Sequence, residues 1–247
     1  MATELEIFQK ERDRSGTTWT RNEEFDKKGF LVIKDLWDPE ELYHPCPSER
    51  GQIDYLGSID QFVSQPEESQ VSGSLARTMH PQYKKVWNGV RRKIERIIGK
   101  KLYNTYYYER FYFGEQQLNK HQDRDACEIS VSMHISTNLP DPEKNWPLWI
   151  KATDTYVDEQ KSAILVPGKT YSLVLEPGDG VLYKGCERPH WREQFPTVQR
   201  KRFNLFNTKD HGEYYYHQIF FHYVLQDGVR SHHAYDRVAI NTSLSGL

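Results

Sequence analysis

Cysteine is scarce in this sequence of 247 residues, which contains three, Cys46, Cys127 and Cys186. The number is odd and no two are separated by only two residues, so neither a disulfide framework nor a zinc–thiolate site is expected. The N-terminus has no basic segment followed by an apolar run, and we therefore expect no signal peptide. Together these absences predict a reducing compartment, the cytoplasm.

Long apolar runs and an excess of one charge are also missing. No stretch approaches the roughly 18 apolar residues of a membrane-spanning helix, so no membrane partner is expected. The formal net charge is −2, which provides no overall attraction to nucleic acid or anionic lipid. Aromatic residues, in contrast, make up 13% of the chain, and disordered chains are poor in them. We therefore expect a folded protein, and the sequence leaves its oligomeric state open.

Residues 1–100 carry one strand signal and two helix signals. The apolar run at 30–33 predicts a strand. Asp38 followed by Pro39 is typical of the start of a helix, and residues 81–100 have the apolar spacing of an amphipathic helix. Residues 44–79 lack any pattern and are rich in Pro, Gly, Ser and Gln. A loop of this length predicts a lid near the mouth of a site, with disorder as the alternative.

The polar face of the helix predicted at 81–100 is strongly basic. A solvated helix face is the commoner meaning of such a row, and a nucleic-acid patch is the rarer one. We therefore do not expect a nucleic-acid partner. The basic residues are Lys84, Lys85, Arg91, Arg92, Lys93 and Arg96.

After Tyr103 the pattern changes to strands. Tyr and Phe crowd residues 106–113, and such residues favour strands over helices. Residues 128–137 alternate between apolar and polar side chains, which indicates a strand with one apolar face. Many short strands separated by Pro and Gly predict a mainly β protein with flanking helices (α+β), in which an antiparallel sandwich or barrel forms a single domain. Its expected parts are 1–100 (helices, first strand and lid), 101–230 (β core) and 231–247 (tail).

His121 and Asp123 are the first candidate metal ligands. If the aromatic strand or its extended continuation reaches Asp123, the two side chains lie on one side of it. An imidazole and a carboxylate supply two of the three ligands of a facial Fe(II) site, and His190 is the best candidate for a second imidazole. A histidine followed two residues later by an acidic residue is weak evidence by itself, because the same pattern occurs at His211 and Glu213. Other ligands left open are His134, His217, His222 and a local set of His211, Glu213 and His217.

The order of these parts resembles that of the Fe(II)/2-oxoglutarate-dependent oxygenases. An aromatic strand precedes His121, a serine-rich strand and a Pro-Gly-Asp-Gly turn at 177–180 follow, and His190 comes about 70 residues after His121. Tyr112, before Phe113-Gly114, is similar to the Tyr-x-Gly segment of prolyl 4-hydroxylase-type members. The segment 29–42 is similar to phytanoyl-CoA dioxygenase-like members.

This resemblance implies a fold, a set of cofactors and a reaction. The core would be a double-stranded β-helix, a form of jelly roll. His121, Asp123 and His190 would hold Fe(II), with 2-oxoglutarate and O2 as co-substrates. The reaction would hydroxylate an unactivated C–H bond of a prolyl or peptidyl residue or of a small metabolite, with release of succinate and CO2. No catalytic residue is predicted beyond the metal ligands.

The resemblance also requires a cation for the distal carboxylate of 2-oxoglutarate, because a buried charge must be paired. Arg192 is the first choice, since it would share a strand face with His190. Arg200 stands at the distance common in the family, and Lys151 is a third option. The hydroxyl of Tyr112 is expected to bind one of the two carboxylates.

Three questions stay open at the level of the sequence. Ser132 and His134, with Ser130, either line the substrate cavity or face water. The same strands also suit a non-catalytic, cupin-like binding module, and the basic helix leaves an oxidative nucleic-acid demethylase as another alternative. No nucleophile elbow, phosphate-binding loop or dinucleotide fingerprint is present, so other enzyme classes lack support.

Overall fold

The computed structural model describes residues 18–46, 63–64, 70–139, 146–159, 162–196 and 214–236. Within these ranges the protein is mainly β, with two α-helices, α1 (Glu23–Lys28) and α2 (Lys84–Ile98), as the strand pattern predicted. Neither helix is long and apolar enough to cross a membrane. The helix expected at 81–100 is confirmed, and it ends at Gly99, whose left-handed φ of 65° suits glycine.

Thirteen strands occur in the described part of the chain. They are β1 (Phe30–Ile33), β2 (Val63–Ser64), β3 (Leu75–Thr78), β4 (Leu102–Phe113), β5 (Leu118–His121), β6 (Ile129–Thr137), β7 (Leu148–Lys151), β8 (Thr155–Glu159), β9 (Ser162–Val166), β10 (Thr170–Leu173), β11 (Gly180–Tyr183), β12 (His190–Arg192) and β13 (Tyr215–Leu225).

The strands form two large antiparallel sheets. The main sheet has the order β1-β11-β6-β13-β4-β3-β2, and the second has the order β10-β7-β12-β5, while β8 and β9 form a separate hairpin. Apolar side chains of both sheets pack together, so the sheets face each other as a sandwich. One shared cluster joins Phe30, Val181 and Tyr183 to Leu148 and Ile150, and the other joins Tyr112, Tyr216 and Phe220 to Leu118 and Trp146.

Helix α2 covers the outer face of the main sheet. Its apolar side chains, among them Val90 and Ile94, share one buried cluster with Val131 and Met133 of β6. The apolar residues of β6 therefore point toward the helix, and the alternation of a strand turns Ser132 and its polar neighbours inward between the sheets. Both faces of β6 are buried as a result. The polar side chains predicted to line a cavity or face water lie inside the sandwich.

The aromatic strand does not continue to Asp123, so that expectation was wrong. Strand β4 ends at Phe113, and the chain turns through Glu115, which has a left-handed φ of 70°. The backbone N–H of Phe113 donates to the side chain of Gln116 at 2.9 Å, which closes the turn. A new strand, β5, then starts in the second sheet. His121 is thus delivered by the sheet opposite the aromatic strand.

Two expectations about residues 38–79 need correction. The helix start at Asp38 yields only a 3₁₀ turn, Pro39–Glu41, because Leu42 buries its side chain directly after it. The stretch expected to be a loop contains β3, which pairs with β4 and extends the main sheet. Residues 47–62 and 65–69, most of the expected lid, lie outside the described residues.

Candidate metal centre

Two imidazoles and one carboxylate converge at one end of the sandwich. His121 on β5 and His190 on β12 are cross-strand partners, and their ring centroids are 4.3 Å apart. Asp123 lies beyond the end of β5, where its N–H donates to the carbonyl of Gly185 at 2.9 Å. Its Oδ1 lies 3.5 Å from Nε2 of His121 and 3.6 Å from Nε2 of His190. The three predicted ligands therefore surround one position.

The backbone sets the tautomer of both imidazoles. Nδ1 of His121 lies 2.7 Å from the carbonyl oxygen of Asn119, and Nδ1 of His190 lies 3.0 Å from that of Arg188. A carbonyl oxygen only accepts hydrogen bonds, so each neutral ring carries its proton on Nδ1. The lone pair on Nε2 then points toward Asp123, which is the arrangement of metal-binding histidines.

The charges in this cluster suit a divalent metal ion. Burial raises the pKa of Asp123, but the nearby His190 and His121 outweigh it and hold the pKa well below its usual value. Burial lowers the pKa of His190. At neutral pH the cluster therefore combines an ionised carboxylate with a neutral imidazole of His190, both in the form that binds metal.

The second carboxylate oxygen of Asp123 is bound by the main sheet. Ser130 of β6 donates its hydroxyl proton to Oδ2 at 2.9 Å. Its Oγ also lies 2.9 Å from Nδ1 of His222, a residue 92 positions away along the chain. Sequence reasoning considered His222 only as a competing ligand, and the alternation of β6 was the one signal that Ser130 faces the site. Burial lowers the pKa of His222 to about 4, so its ring is neutral at pH 7.

A methyl group at Gly185 is expected to disrupt this end of the site. A Cβ there would lie 2.2 Å from the carbonyl oxygen of Cys127, 2.5 Å from Oδ2 of Asp123 and 2.6 Å from Oγ of Ser130. We expect Gly185→Ala to lower the free energy of unfolding by about 1–3 kcal/mol through overpacking, and to weaken Mn(II) binding. Thermal unfolding and a Mn(II) titration measure the two effects. Cys186→Ala, one residue on, is the control, and wild-type Mn(II) affinity in Gly185→Ala would contradict the expectation.

Arg192 lies on β12 on the same buried face as His190 and is 1% exposed. Its guanidinium stands between two rings, 4.8 Å from the centroid of Trp146 and 4.6 Å from that of Tyr216. One terminal nitrogen donates to the backbone carbonyl of Trp146. Its Nε and Nη2 have no hydrogen-bond partner among the described residues. A buried cation with two free donors is suited to binding a carboxylate.

Tyr112 and His134 lie around the same chamber. The ring of Tyr112 meets Trp146 edge-on at 4.9 Å. The ring of His134 stacks on Tyr216 at 4.1 Å, and its Nδ1 lies 2.7 Å from the carbonyl oxygen of Leu175. Burial lowers the pKa of His134 to about 4. Both residues thus line the buried interior next to Arg192.

Of the remaining residues predicted for the site, Ser132 lies in the interior and Lys151 near the surface. Ser132 faces the interior, where its Oγ accepts from Nε2 of Gln218 at 2.8 Å. Lys151 is partly exposed and its ammonium pairs with Asp154 at 2.9 Å, so it does not serve as a buried anchor. Arg200 lies outside the described residues.

His217, one member of the alternative local metal set, pairs with Glu109. Nε2 of His217 lies 2.8 Å from Oε2 of Glu109, and its ring stacks on Phe111 at 3.9 Å. These contacts lie on the outer face of the main sheet, across from the interior that holds Asp123. Residues 211 and 213, the other members of that set, lie outside the described residues.

The fold of this chain is similar to those of several solved protein structures. No protein-family model and no curated protein sequence matches the chain. A prolyl-4-hydroxylase of Pseudomonas putida is 12% identical, with 81% of this chain and 95% of that chain covered and a TM-score of 0.49. A Trichoplax adhaerens prolyl hydroxylase in complex with a hypoxia-inducible-factor peptide is 13% identical, with 90% and 94% covered and a TM-score of 0.47. EctD from S. alaskensis is 16% identical, with 81% and 74% covered and a TM-score of 0.46.

At these identities and TM-scores the function of the chain has to rest on its own residues. The similar structures also include the non-heme α-ketoglutarate-dependent epimerase SnoN and a Burkholderia pseudomallei protein of the 2OG-Fe(II) oxygenase family. The solved structures that this chain resembles include iron- and 2-oxoglutarate-dependent oxygenases, the family that its sequence motifs resemble.

Proposed function

We propose that this protein is an Fe(II)- and 2-oxoglutarate-dependent oxygenase of the hydroxylase type. The observation that carries the proposal is the convergence of two Nε2 lone pairs and one carboxylate oxygen on a single position, beside a buried guanidinium with two free donors. Three protein ligands on one side leave the other positions of a metal ion open for co-substrate and O2.

The donor set of His121, Asp123 and His190 fits Fe(II). Two imidazoles and one carboxylate form the facial arrangement that non-heme Fe(II) oxygenases use. Both rings are oriented by backbone carbonyls, so little reorganisation is needed to present Nε2. Oδ1 of Asp123 lies near both Nε2 atoms, while Oδ2 accepts a hydrogen bond from Ser130.

Arg192 fits one carboxylate of 2-oxoglutarate. Residues two apart on a strand are separated by about 6.6 Å, so Arg192 and His190 suit the two ends of a short dicarboxylate. The free Nε and Nη2 of Arg192 offer two parallel donors, the geometry that binds carboxylates most strongly. The hydroxyl of Tyr112 is a further donor on this wall.

Bound iron and 2-oxoglutarate would supply the oxidant for C–H hydroxylation, with consumption of O2 and release of succinate and CO2. The chain itself holds and orients these groups. Arg192 would hold one carboxylate of the co-substrate, and His190, two residues earlier on β12, would lie toward its other end. The packed rings of Trp146, Tyr216 and Phe220 exclude water from this chamber.

The strand order supports a double-stranded β-helix for the core. Eight strands are divided equally between the sheets: β4, β6, β11 and β13 lie in the main sheet, and β5, β7, β10 and β12 in the second. Each sheet thus contributes four antiparallel strands, as in a jelly roll. We infer that residues 101–230 form this core within a single domain, with β1, β3 and α2 as additions around it.

A row of aromatic rings leads away from the triad and favours a peptidyl substrate. The aromatic row consists of Tyr106, Tyr108, Phe220 and His222, with neighbouring centroids 4.6–6.1 Å apart. Its His222 end lies beside Asp123, while Tyr106 and Tyr108 are only partly buried. A prolyl ring or another apolar ring can stack on such a surface. A small metabolite with a ring is the alternative substrate.

The position of the basic helix α2 argues against a nucleic-acid substrate. Helix α2 packs on the outer face of the main sheet, whereas the triad lies between the two sheets. The arginines of α2 are therefore on the far side of the main sheet from the proposed iron. No observation in the described residues supports the demethylase alternative.

Two measurements on the wild-type protein test the proposed function. Anaerobic addition of Fe(II) and 2-oxoglutarate should produce a visible charge-transfer band, and oxygen should then yield succinate. Peptides, free amino acids and lipids are screened for stimulation of succinate release. A non-catalytic cupin-like module would bind a ligand without forming succinate. The absence of both the charge-transfer band and succinate would therefore contradict the enzyme proposal.

A further inference from the structure

We infer that Ser130 is a positioning residue that holds the carboxylate of Asp123 in a one-oxygen binding mode, with its own orientation set by His222. The inference rests on the proposed function, because it concerns the same metal position. It follows from contacts between three elements: the segment after β5, strand β6, which begins shortly after it in the sequence, and strand β13, which is 92 residues beyond Ser130 at His222.

The two oxygens of Asp123 have different surroundings. Oδ1 is near Nε2 of His121 and of His190, at 3.5 and 3.6 Å. Oδ2 accepts the hydroxyl proton of Ser130 at 2.9 Å. A carboxylate with one oxygen bound in this way cannot rotate to present both oxygens to a metal ion without losing a charge-assisted hydrogen bond.

The orientation of the Ser130 hydroxyl follows from its neighbours. Its single proton has three acceptors within reach: Oδ2 of Asp123 at 2.9 Å, the carbonyl oxygen of Cys127 at 3.1 Å and, in one tautomer of the ring, Nδ1 of His222 at 2.9 Å. The hydroxyl of Tyr183 is a further neighbour of Ser130. The bond to the carboxylate is charge-assisted and is therefore the strongest of these. Because the proton of Ser130 is then committed, Nδ1 of His222, 2.9 Å away, must be the donor to Oγ.

This assignment also fixes the tautomer of His222. Its Nδ1 carries the proton, and its Nε2 is buried with no hydrogen-bond partner among the described residues. The ring is held by Tyr106 at 4.6 Å and Tyr108 at 5.8 Å. His222 therefore supports the ligand carboxylate through Ser130, and it need not bind the metal ion itself. Fixing Asp123 to one oxygen keeps one more metal position open for co-substrate or O2.

Ser130→Ala tests the inference, and Ser132→Ala is the matched control. Ser132 is the next residue on the same inner face of β6, and its hydroxyl contacts Gln218 instead of a ligand. The visible absorption of the Co(II)-saturated protein reports the ligand set. We expect Ser130→Ala to change this spectrum and to weaken Mn(II) binding about 10- to 100-fold. Ser132→Ala should keep the wild-type spectrum and an affinity within about twofold of wild type.

Ser130→Gly repeats the test without the hydroxyl and without adding a metal-binding group, and it decides the matter should the alanine variant not fold. The Co(II) spectrum is the decisive readout. An unchanged spectrum in the Ser130 variants, or the same change in Ser132→Ala, overturns the inference even if affinity falls. If the wild-type protein binds neither Mn(II) nor Co(II), the proposed function fails first, and the two failures are thereby distinguished.

Discussion

Replacing His190 with alanine is expected to abolish the charge-transfer band and to reduce succinate formation to background. His190 lies on β12, between β5 and β7, so this proposed metal ligand is on an inner strand of the second sheet. It is 3% exposed, and no water can easily replace its imidazole. A metal ion contributes several kcal/mol to such a reaction, so we expect a loss of roughly a thousandfold or more. Anaerobic absorption and succinate assays measure it.

His217→Ala is the matched control for this prediction. His217 is as deeply buried as His190, but it lies on the outer face of the main sheet with Glu109. Its removal should lower the free energy of unfolding by about 1–3 kcal/mol, because it leaves a buried carboxylate oxygen without that partner. The band should remain. A folded His190→Ala protein that keeps the band would refute the proposed triad.

Arg192→Ala is expected to raise the KM for 2-oxoglutarate about 100-fold. A paired, buried charge contributes roughly 2–5 kcal/mol to binding, and each 1.4 kcal/mol corresponds to about a factor of ten. The turnover at saturating 2-oxoglutarate should fall less, since the proposed role of Arg192 is to hold the end of the co-substrate away from the triad. Succinate release measured against 2-oxoglutarate concentration separates the two effects.

Two companion variants make this prediction specific. Arg192→Lys keeps the charge but loses the forked pair of donors, so an intermediate KM is expected. Arg200→Ala should change the KM by less than about threefold, in keeping with an anchor that lies two residues from His190 on β12. A larger effect at Arg200 than at Arg192 would show that the anchor is assigned to the wrong residue.

Several elements could be predicted because their determinants are local. The spacing of Val90 and Ile94 predicts α2, and Gly99 marks its end. The alternation at 129–137 predicts β6, and the crowding of Tyr and Phe predicts β4. In each case the side chains of one short segment decide between a period of 3.6 and a period of two. The i, i+2 spacing that places Arg192 beside His190 is local in the same sense.

Other features could not be read from any one segment. The sequence does not show that β4 stops at Phe113 and that β5 crosses to the second sheet, because the cause is one left-handed residue, Glu115, in a turn. Nor does it show β3, since its four residues, Leu75–Thr78, do not alternate between apolar and polar and form a strand through their pairing with β4. Patterns of alternation predict faces, but they do not predict which strands pair.

The sequence by itself determined the chemical types available here: two imidazoles and a carboxylate at suitable spacing, and an arginine two residues past the second histidine. Only the tertiary structure decided that these groups meet. His121 and His190 become neighbours through the pairing of β5 with β12, and Ser130 reaches Asp123 from the opposite sheet. The physical reason is that contacts between different strands depend on how the strands pair and how the two sheets pack, and that packing is a property of the whole chain.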